Sequence, residues 1–294
     1  MSHNISSTLI EQMVKGPSAT KITQVANLQT HIQDIFGSGY HSFLQGSYKN
    51  DTAILDINDV DIMVIRLKTY SSQHSPLARP ENSVIQWNTI FSEIEEKLKS
   101  QNRYRLAIQR GNKCITVTTV DFKADIVPAA QIGNDYTVDP IAIYSFRDGL
   151  EKVNYPRTHY DNGVEKNRTT DGNYKFLVRM FKNWSKNHFD NKDILSSYKI
   201  ESLVYGVDNS MFSNDYAMSF IQVATEIYKK LISSESSSII LSVCGYENIL
   251  DNWGLRYRQM VVSQLNTSID LMVKAYMADN SLVANNLFKR AFNF

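Results

Sequence analysis

Asp59 and Asp61 stand on either side of one valine at the head of the apolar run DVDIMVI. In an extended strand, side chains two apart share a face, so both carboxylates point the same way, roughly 6.6 Å apart along the backbone. Val60, Ile62 and Val64 take the opposite face. Like charges so placed repel, and one carboxyl pKa rises unless a cation offsets them. A hard divalent cation suits that need, because it takes a few carboxylate oxygens and keeps positions for phosphate oxygens.

A second segment adds to the pair. TTVDFKADIVPAA (118–130), read as a strand, places Asp121, Lys123, Asp125 and Val127 on one face. Asp125 lies inside the apolar run ADIVP, where a lone ionised carboxylate is costly. If this strand lies beside the first, Asp125 completes a three-carboxylate cluster able to hold two metal ions. Asp121 is the competing third ligand, nearer the strand start and able to pair with Lys123. Two ions about 4 Å apart suit in-line displacement at phosphorus, one activating the attacking hydroxyl and one holding the triphosphate and the departing pyrophosphate. Upstream, Gly46 lets the backbone approach a phosphate closely, and the amide and hydroxyl of Ser47 can donate to its oxygens.

The elements that must position these groups follow from hydrophobic period. Residues 6–14 and 19–36 read as helices, the second with Ile22, Val25, Leu28, Ile32 and Ile35 on one stripe and Gly37 at its end. Strands are expected at 60–66, 104–109, 114–120 and 122–127, the last closed by Pro128. A helix over 82–100 carries Val84, Trp87, Phe91, Ile94 and Leu98 at helical spacing. NYPRTHYDNG (154–163) reads as a loop. Helices then follow at 170–189, 197–206, 214–233 and 255–278, with SSESSS (233–238) a polar connector. A mixed α/β half followed by a helical half is the coarse architecture.

Composition narrows the function. The 294 residues are 43% apolar and 21% charged, with 31 basic and 30 acidic residues and a net charge of +1. A protein built to hold long RNA or DNA usually carries a strong basic excess, so extended nucleic-acid binding is not expected. Cys114 and Cys244 sit among apolar or small neighbours and read as buried reduced thiols. The histidines lack metal-ligand spacing. MSHNISSTLIEQMV lacks the pattern of a secretory signal, and no apolar run approaches the ~18 residues of a membrane span. The expectation is a cytoplasmic protein without a membrane partner.

The set QGS (45–47), TAI (52–54), DVD (59–61) and ADIVPA (124–129) resembles the DNA polymerase β-type nucleotidyltransferases. The likeness is greatest to bacterial relatives of cyclic GMP-AMP synthase and oligoadenylate synthase, which make cyclic oligonucleotide signals. The resemblance implies an α+β fold: a polymerase β-like core of mixed sheet and helices over 1–160, then a helical, oligoadenylate-synthase-like domain over 161–294. It carries the catalytic metal ligands onto Asp59, Asp61 and Asp125, with two Mg²⁺ or Mn²⁺ ions, and the phosphate-contacting turn onto Gln45, Gly46 and Ser47.

In GNYKFLVRMFKNWSKNHFD (172–190), Lys175, Arg179, Lys182 and Lys186 form one helical face and Tyr174, Leu177, Val178 and Phe181 another. The resemblance gives Lys182 the triphosphate, Ser197 or Ser196 a phosphate contact, and Tyr198 a stacking contact with a base. The run from 154 to 207 is most similar to the clade linked to cyclic UMP-AMP, in which an asparagine before the basic helix helps to choose uracil. Asn167 is the matching position; Asn there also suits an ordinary turn or cap. The implied substrates are ATP with UTP, another pyrimidine triphosphate or GTP. The implied setting is anti-phage signalling, with a separate effector that binds the product. The closing LFKRAFNF keeps the family's terminal aromatics but lacks its glycine.

Two other readings use the same residues. A nucleotidyltransferase acting on RNA ends or on a protein needs a macromolecule-binding surface, which the near-zero net charge does not favour for RNA. An inactive nucleotide-binding member usually lacks one of the acids, and all three are present here.

Overall fold

A computed structural model describes residues 3–55, 59–74, 86–101, 107–119, 122–233 and 239–294. The chain forms two compact units, Pro17–Asn50 with Asp56–Tyr160, and Met1–Gly16 with Asp51–Leu55 and Asp161–Phe294. The sequence expectation divides the chain once, at 160.

Among the described residues, the first of these units is built on a seven-stranded sheet. Its strands are β1 (Tyr40–Gln45), β2 (Asp59–Tyr70), β3 (Ile108–Arg110), β4 (Ile115–Thr118), β5 (Lys123–Gln131), β6 (Ile141–Ser145) and β7 (Leu150–Asn154). The order is β1-β2-β5-β4-β3, with β6 on β5 and β7 on β6. Strands β2 and β5 run parallel; the other described pairs are antiparallel. Val60, Ile62 and Val64 of β2 and Ala124 and Ile126 of β5 are buried in one core with two helices, α2 (Ala19–Phe36) and α4 (Trp87–Ser100). The other face carries a smaller core of Met63, Ile65, Val127, Ala129 and Ile141. Strand β1 leads directly into a single turn, α3 (Gly46–Lys49).

Several expectations change here. Pro128 does not close its strand: β5 continues to Gln131, and Pro128 pairs with Val64 on β2. On its other side β4 stops at Ile126 and β6 begins at Ala129, so the proline falls in a gap between two partners. In α2, Phe36 rather than Ile22 completes the buried stripe; Ile22 is 50% exposed. Strands β1, β6 and β7 lie outside the expected strand segments. Of the strand expected at 104–109 and the helix expected at 82–100, residues 104–106 and 82–85 lie outside the described residues, as do 234–238 of the polar connector.

Glu151 of β7 organises one corner of this unit. Its carboxylate accepts from Trp87 Nε1 at 2.9 Å, from the Ser72 hydroxyl at 2.9 Å and amide at 3.2 Å, and from the Ser71 hydroxyl. Burial alone would raise this carboxyl; the bonds from Ser71, Trp87 and Ser72 outweigh it and hold it below its ordinary value of 4.5.

The second unit is helical: α1 (Ser7–Val14), α5 (Pro156–Thr169, from Asp161 on), α6 (Asn173–His188), α7 (Ser197–Tyr205), α8 (Tyr216–Ile232), α9 (Leu255–Met277) and α10 (Ser281–Phe292). The stretch expected as a loop at 154–163 is largely helix α5. Pro156 suits a first helical position, where its missing N–H is not needed. His159 is the one buried residue of α5, so no apolar period marks it in the sequence.

The core of the helical unit centres on Trp184, Phe181, Phe220, Phe288 and Phe292. Phe181 stacks on Phe220 with ring centroids 4.6 Å apart, and Phe288 on Phe292 at 4.7 Å. Trp184 Nε1 donates to Ser268 Oγ, which donates to the Ala291 carbonyl, both at 2.9 Å, so the buried polar atoms are satisfied. The closing aromatics therefore dock without the glycine. Asn293 ends α10 in the left-handed conformation (φ 54°), which asparagine tolerates better than most residues.

Replacing Glu151 by glutamine is expected to lower the stability of the protein by about 2 kcal/mol at pH 7, read by urea denaturation. Because the folded carboxyl lies below 4.5, its contribution is complete above that pH and is lost as the pH falls through the folded value. The gap between the two proteins should therefore narrow below about pH 4.5.

Candidate active site

The strand register draws the predicted residues of the sheet unit into one row. Gln45 of β1 lies opposite Asp61 of β2, Asp61 opposite Asp125 of β5, and Asp125 opposite Thr116 of β4. Residues directly opposed on neighbouring strands share a face, and Asp59, two before Asp61, is on that face too. All three aspartates are partly exposed, while Val60 and Ile62 between and beyond them are fully buried on the other face. The alternative third ligand, Asp121, lies outside the described residues.

Gly46 meets Asp61 at close range. Its φ is +65°, and a Cβ added there would run into Asp61 Oδ2. Glycine is thus required twice, for the left-handed backbone and for the space that the carboxylate fills. The same turn carries Ser47 and brings Tyr48 near Asp59. The Tyr48 phenol is pushed above its ordinary value by burial and by the Asp59 carboxylate.

Sequence reasoning missed Thr116, whose hydroxyl donates to Asp125 Oδ1 at 2.6 Å. The bond fixes the rotamer of Asp125 and engages one of its oxygens. The signal was available only through the antiparallel pairing of ITVT with KADI, which no single-strand pattern states. Cys114, two residues before Thr116, is pushed up to about 11 by burial and by the charge of Asp125. It stays a protonated thiol at neutral pH, as a buried reduced cysteine should.

Asp59, Asp61 and Asp125 fit a hard divalent ion by donor type, by partial exposure and by their common face. The register brings Asp61 and Asp125 together as a pair with Asp59 alongside. Among the described residues, no three His, Cys, Asp or Glu side chains are already gathered to hold a metal ion.

On the helical unit, the residues singled out by sequence have different fates. Ser196 is the N-cap of α7, its hydroxyl accepting from the Lys199 amide, and Ser197 and Tyr198 open that helix. Tyr198 is 38% exposed, and its hydroxyl donates to Glu247. Burial and that bond raise its phenol well above the ordinary range. Asn167, in the last turn of α5, accepts from the Lys175 amide through Oδ1 at 3.1 Å and so caps the first turn of α6. Lys182 is only 3% exposed; its ammonium donates to Glu201 Oε1 at 2.6 Å and to Thr52 Oγ1 at 2.9 Å. Arg179 is buried as well, so the basic face of α6 is largely enclosed, with Lys186 its exposed member.

Comparison with known proteins agrees with this architecture. Residues 161–276 match the cGAS/DncV-like nucleotidyltransferase C-terminal helical domain. The chain is 33% identical to the cyclic nucleotide synthase CdnE01 of Staphylococcus haemolyticus over 60% of this chain and 66% of that protein. It is 30% identical to the cyclic UMP-AMP synthase of Rhodothermus marinus over 62% of this chain and 68% of that protein. Among solved structures, the Elizabethkingia meningoseptica CdnE cyclic dinucleotide synthase with GTP and Apcpp superposes with a TM-score of 0.70 at 26% identity, covering 93% of this chain and 99% of that one.

A mixed sheet that carries paired aspartates behind a Gly-Ser turn, joined to this helical domain, defines a nucleotidyltransferase. The chain belongs to the cGAS/DncV-like nucleotidyltransferases, enzymes whose chemistry is metal-dependent and whose members similar to this chain are cyclic nucleotide synthases. No described helix is long and apolar enough to cross a membrane.

Gly46→Ala should displace Asp61 and lower the rate of pyrophosphate release at least about a hundredfold, as misplacements of an ångström can. Thr116→Val, which keeps the shape but removes the bond to Asp125, should lower kcat about tenfold. Steady-state pyrophosphate assays check both.

Proposed function

We propose that this chain joins nucleoside triphosphates into a cyclic di- or oligonucleotide. The alignment of Asp61 with Asp125 across β2 and β5, with Gly46 packed on Asp61, carries this reading. A 3′- or 2′-hydroxyl attacks the α-phosphorus, a new phosphodiester bond forms, the bond to the β-phosphate breaks and pyrophosphate leaves. A second transfer closes the ring.

Asp59, Asp61 and Asp125 are the residues that would hold two Mg²⁺ or Mn²⁺ ions, which would acidify the attacking hydroxyl and offset the charge of the triphosphate. Asp125, steadied through Oδ1 by Thr116, takes the hydroxyl proton. The Gly46 and Ser47 amides and the Ser47 hydroxyl donate to phosphate oxygens, and Gln45, opposite Asp61, completes that edge. Positioning and charge neutralisation supply most of such catalysis.

On the helical unit, Ser197 is preferred to Ser196 as the phosphate contact, because the Ser196 hydroxyl serves as the cap of α7. Tyr198 offers a partly exposed ring whose rotation Glu247 restricts, a suitable platform for a base. The bond from the Lys175 amide commits Oδ1 of Asn167, which leaves Nδ2 as its donor toward a base carbonyl such as O4 of uracil. The substrates are then ATP with UTP, another pyrimidine triphosphate or GTP, drawn from the cytoplasm, and the product acts on a separate effector protein.

With Mg²⁺ or Mn²⁺ and labelled triphosphates, the protein should yield a phosphatase-resistant product, and the variant Asp59→Ala/Asp61→Ala should yield none. Undiminished turnover by that variant overturns the reading. Asn167→Ala should shift the product from pyrimidine toward purine content, read by mass spectrometry.

A further inference from the structure

Within the helical unit, the last turn of α5, the end of α7 and the last turn of α8 border one cavity. Its volume is about 600 Å³, inside the ~300–1,000 Å³ usual for small-molecule sites. Its walls include Lys166, Tyr205, Asp208, Met211, Glu226 and Lys230. Lys166 Nζ donates to the Val207 carbonyl at 2.5 Å and to Asn209 Oδ1, and Lys230 Nζ donates to the Gly206 carbonyl. Lys166 Nζ also stands 5.2 Å from the centroid of the Phe212 ring and 5.7 Å from that of Tyr205. Two ammoniums thus converge on neighbouring carbonyls at the end of α7.

Cations suit a helix C-terminus, which accounts for a lysine at each carbonyl. It does not account for the charge balance. Among the described residues, neither ammonium forms an ion pair with a carboxylate. The acids of the cavity are engaged elsewhere. Asp208 Oδ1 accepts from the Ser210 amide at 2.9 Å and hydroxyl at 2.6 Å, and Glu226 Oε1 accepts from Lys229 at 2.7 Å. Burial holds the Lys166 ammonium below its ordinary value of 10.5; the Asp208 charge offsets this in part and the Lys230 charge adds to it. An ammonium carries three N–H donors. Lys166 spends two and Lys230 one on the bonds above, so one and two remain.

An anion between the lysines would take those donors and offset their mutual repulsion. A phosphate monoester fits best, with three acceptor oxygens and a charge of about −1.5 to −2 near pH 7. The space beside Tyr205 and Met211 suits a flat aromatic body.

We propose that this cavity is a second binding site, for a phosphate monoester with an aromatic body of nucleoside-monophosphate size, its phosphate between Lys166 and Lys230 and its ring against Tyr205 and Met211. The site lies at the end of α7 opposite Ser197 and Tyr198 and uses none of the groups assigned to catalysis. It stands whether or not the chain makes a cyclic product.

Nuclear magnetic resonance of protein isotope-labelled at the methionine methyls reads the cavity through Met211. The probe is AMP, titrated in EDTA so that metal-dependent nucleotide binding does not compete. AMP should shift the Met211 methyl with a dissociation constant of about 1 mM or tighter, while adenosine and inorganic phosphate each bind at least about tenfold more weakly. Lys166→Gln and Lys230→Gln, which keep a donor for the carbonyls of α7, should each weaken AMP about tenfold. Tyr198→Ala, at the other end of α7, should leave its affinity within about twofold. The wild-type titration decides even if a lysine variant folds poorly. No shift at Met211 up to about 10 mM AMP overturns the proposal. So does a response equal with adenosine, one that survives both lysine replacements, or one lost in Tyr198→Ala.

Discussion

The candidate site depends on how β2 pairs with β5. The two strands are parallel and set Asp61 directly opposite Asp125. Their opposite faces, Val60, Ile62, Val64, Ala124 and Ile126, are buried with α2 and α4. A slip of one residue would send that apolar set to the wrong side and carry the carboxylates into the core, so the register is strongly specified. The hydrophobic core thereby enforces a juxtaposition of like charges that the carboxylates alone would avoid, and a divalent cation is the natural counterweight. The neighbouring strands refine the pair: β1 delivers Gly46 against Asp61, and β4 delivers the hydroxyl of Thr116 to Asp125.

The helical unit applies a different logic. Its interior is apolar around Trp184, Phe220, Phe288 and Phe292, yet it also encloses Arg179, Lys182 and Glu201, each tied to a partner of opposite charge or to backbone. Buried charges are tolerable when paired and bonded in this way, and they favour a single arrangement of the groups they join. Here that arrangement ties down Asp51 and Thr52 of the short segment 51–55. Asn167 and Ser196 do similar local work as caps, which sets the first turns of α6 and α7.

Much of the site was legible because its elements obey simple periods. The alternation DVDIMVI announces β2 and its face, and the helical stripes of α2, α4, α6, α8 and α9 are written in their apolar spacing. What stayed hidden depends on partners distant in sequence. Pro128 looks like a strand end until its place between β4 and β6 is known. Helix α5 is polar on nearly every side and so reads as a loop. The basic face of α6 looks solvent-facing, because nothing local indicates that Asp51, Thr52 and Glu201 cover it. Thr116 gains meaning only through its register with Asp125.

Asp59, Asp61 and Asp125 are the proposed metal-binding catalytic set of this nucleotidyltransferase. Anomalous diffraction from crystals grown with Mn²⁺ and a non-hydrolysable nucleoside triphosphate tests it most directly. Two manganese peaks are expected, both liganded by these carboxylates, with triphosphate oxygens on the same ions and Ser47 at the phosphates. A bound triphosphate with no manganese at Asp61 and Asp125, or with its ions held by other residues, would contradict it.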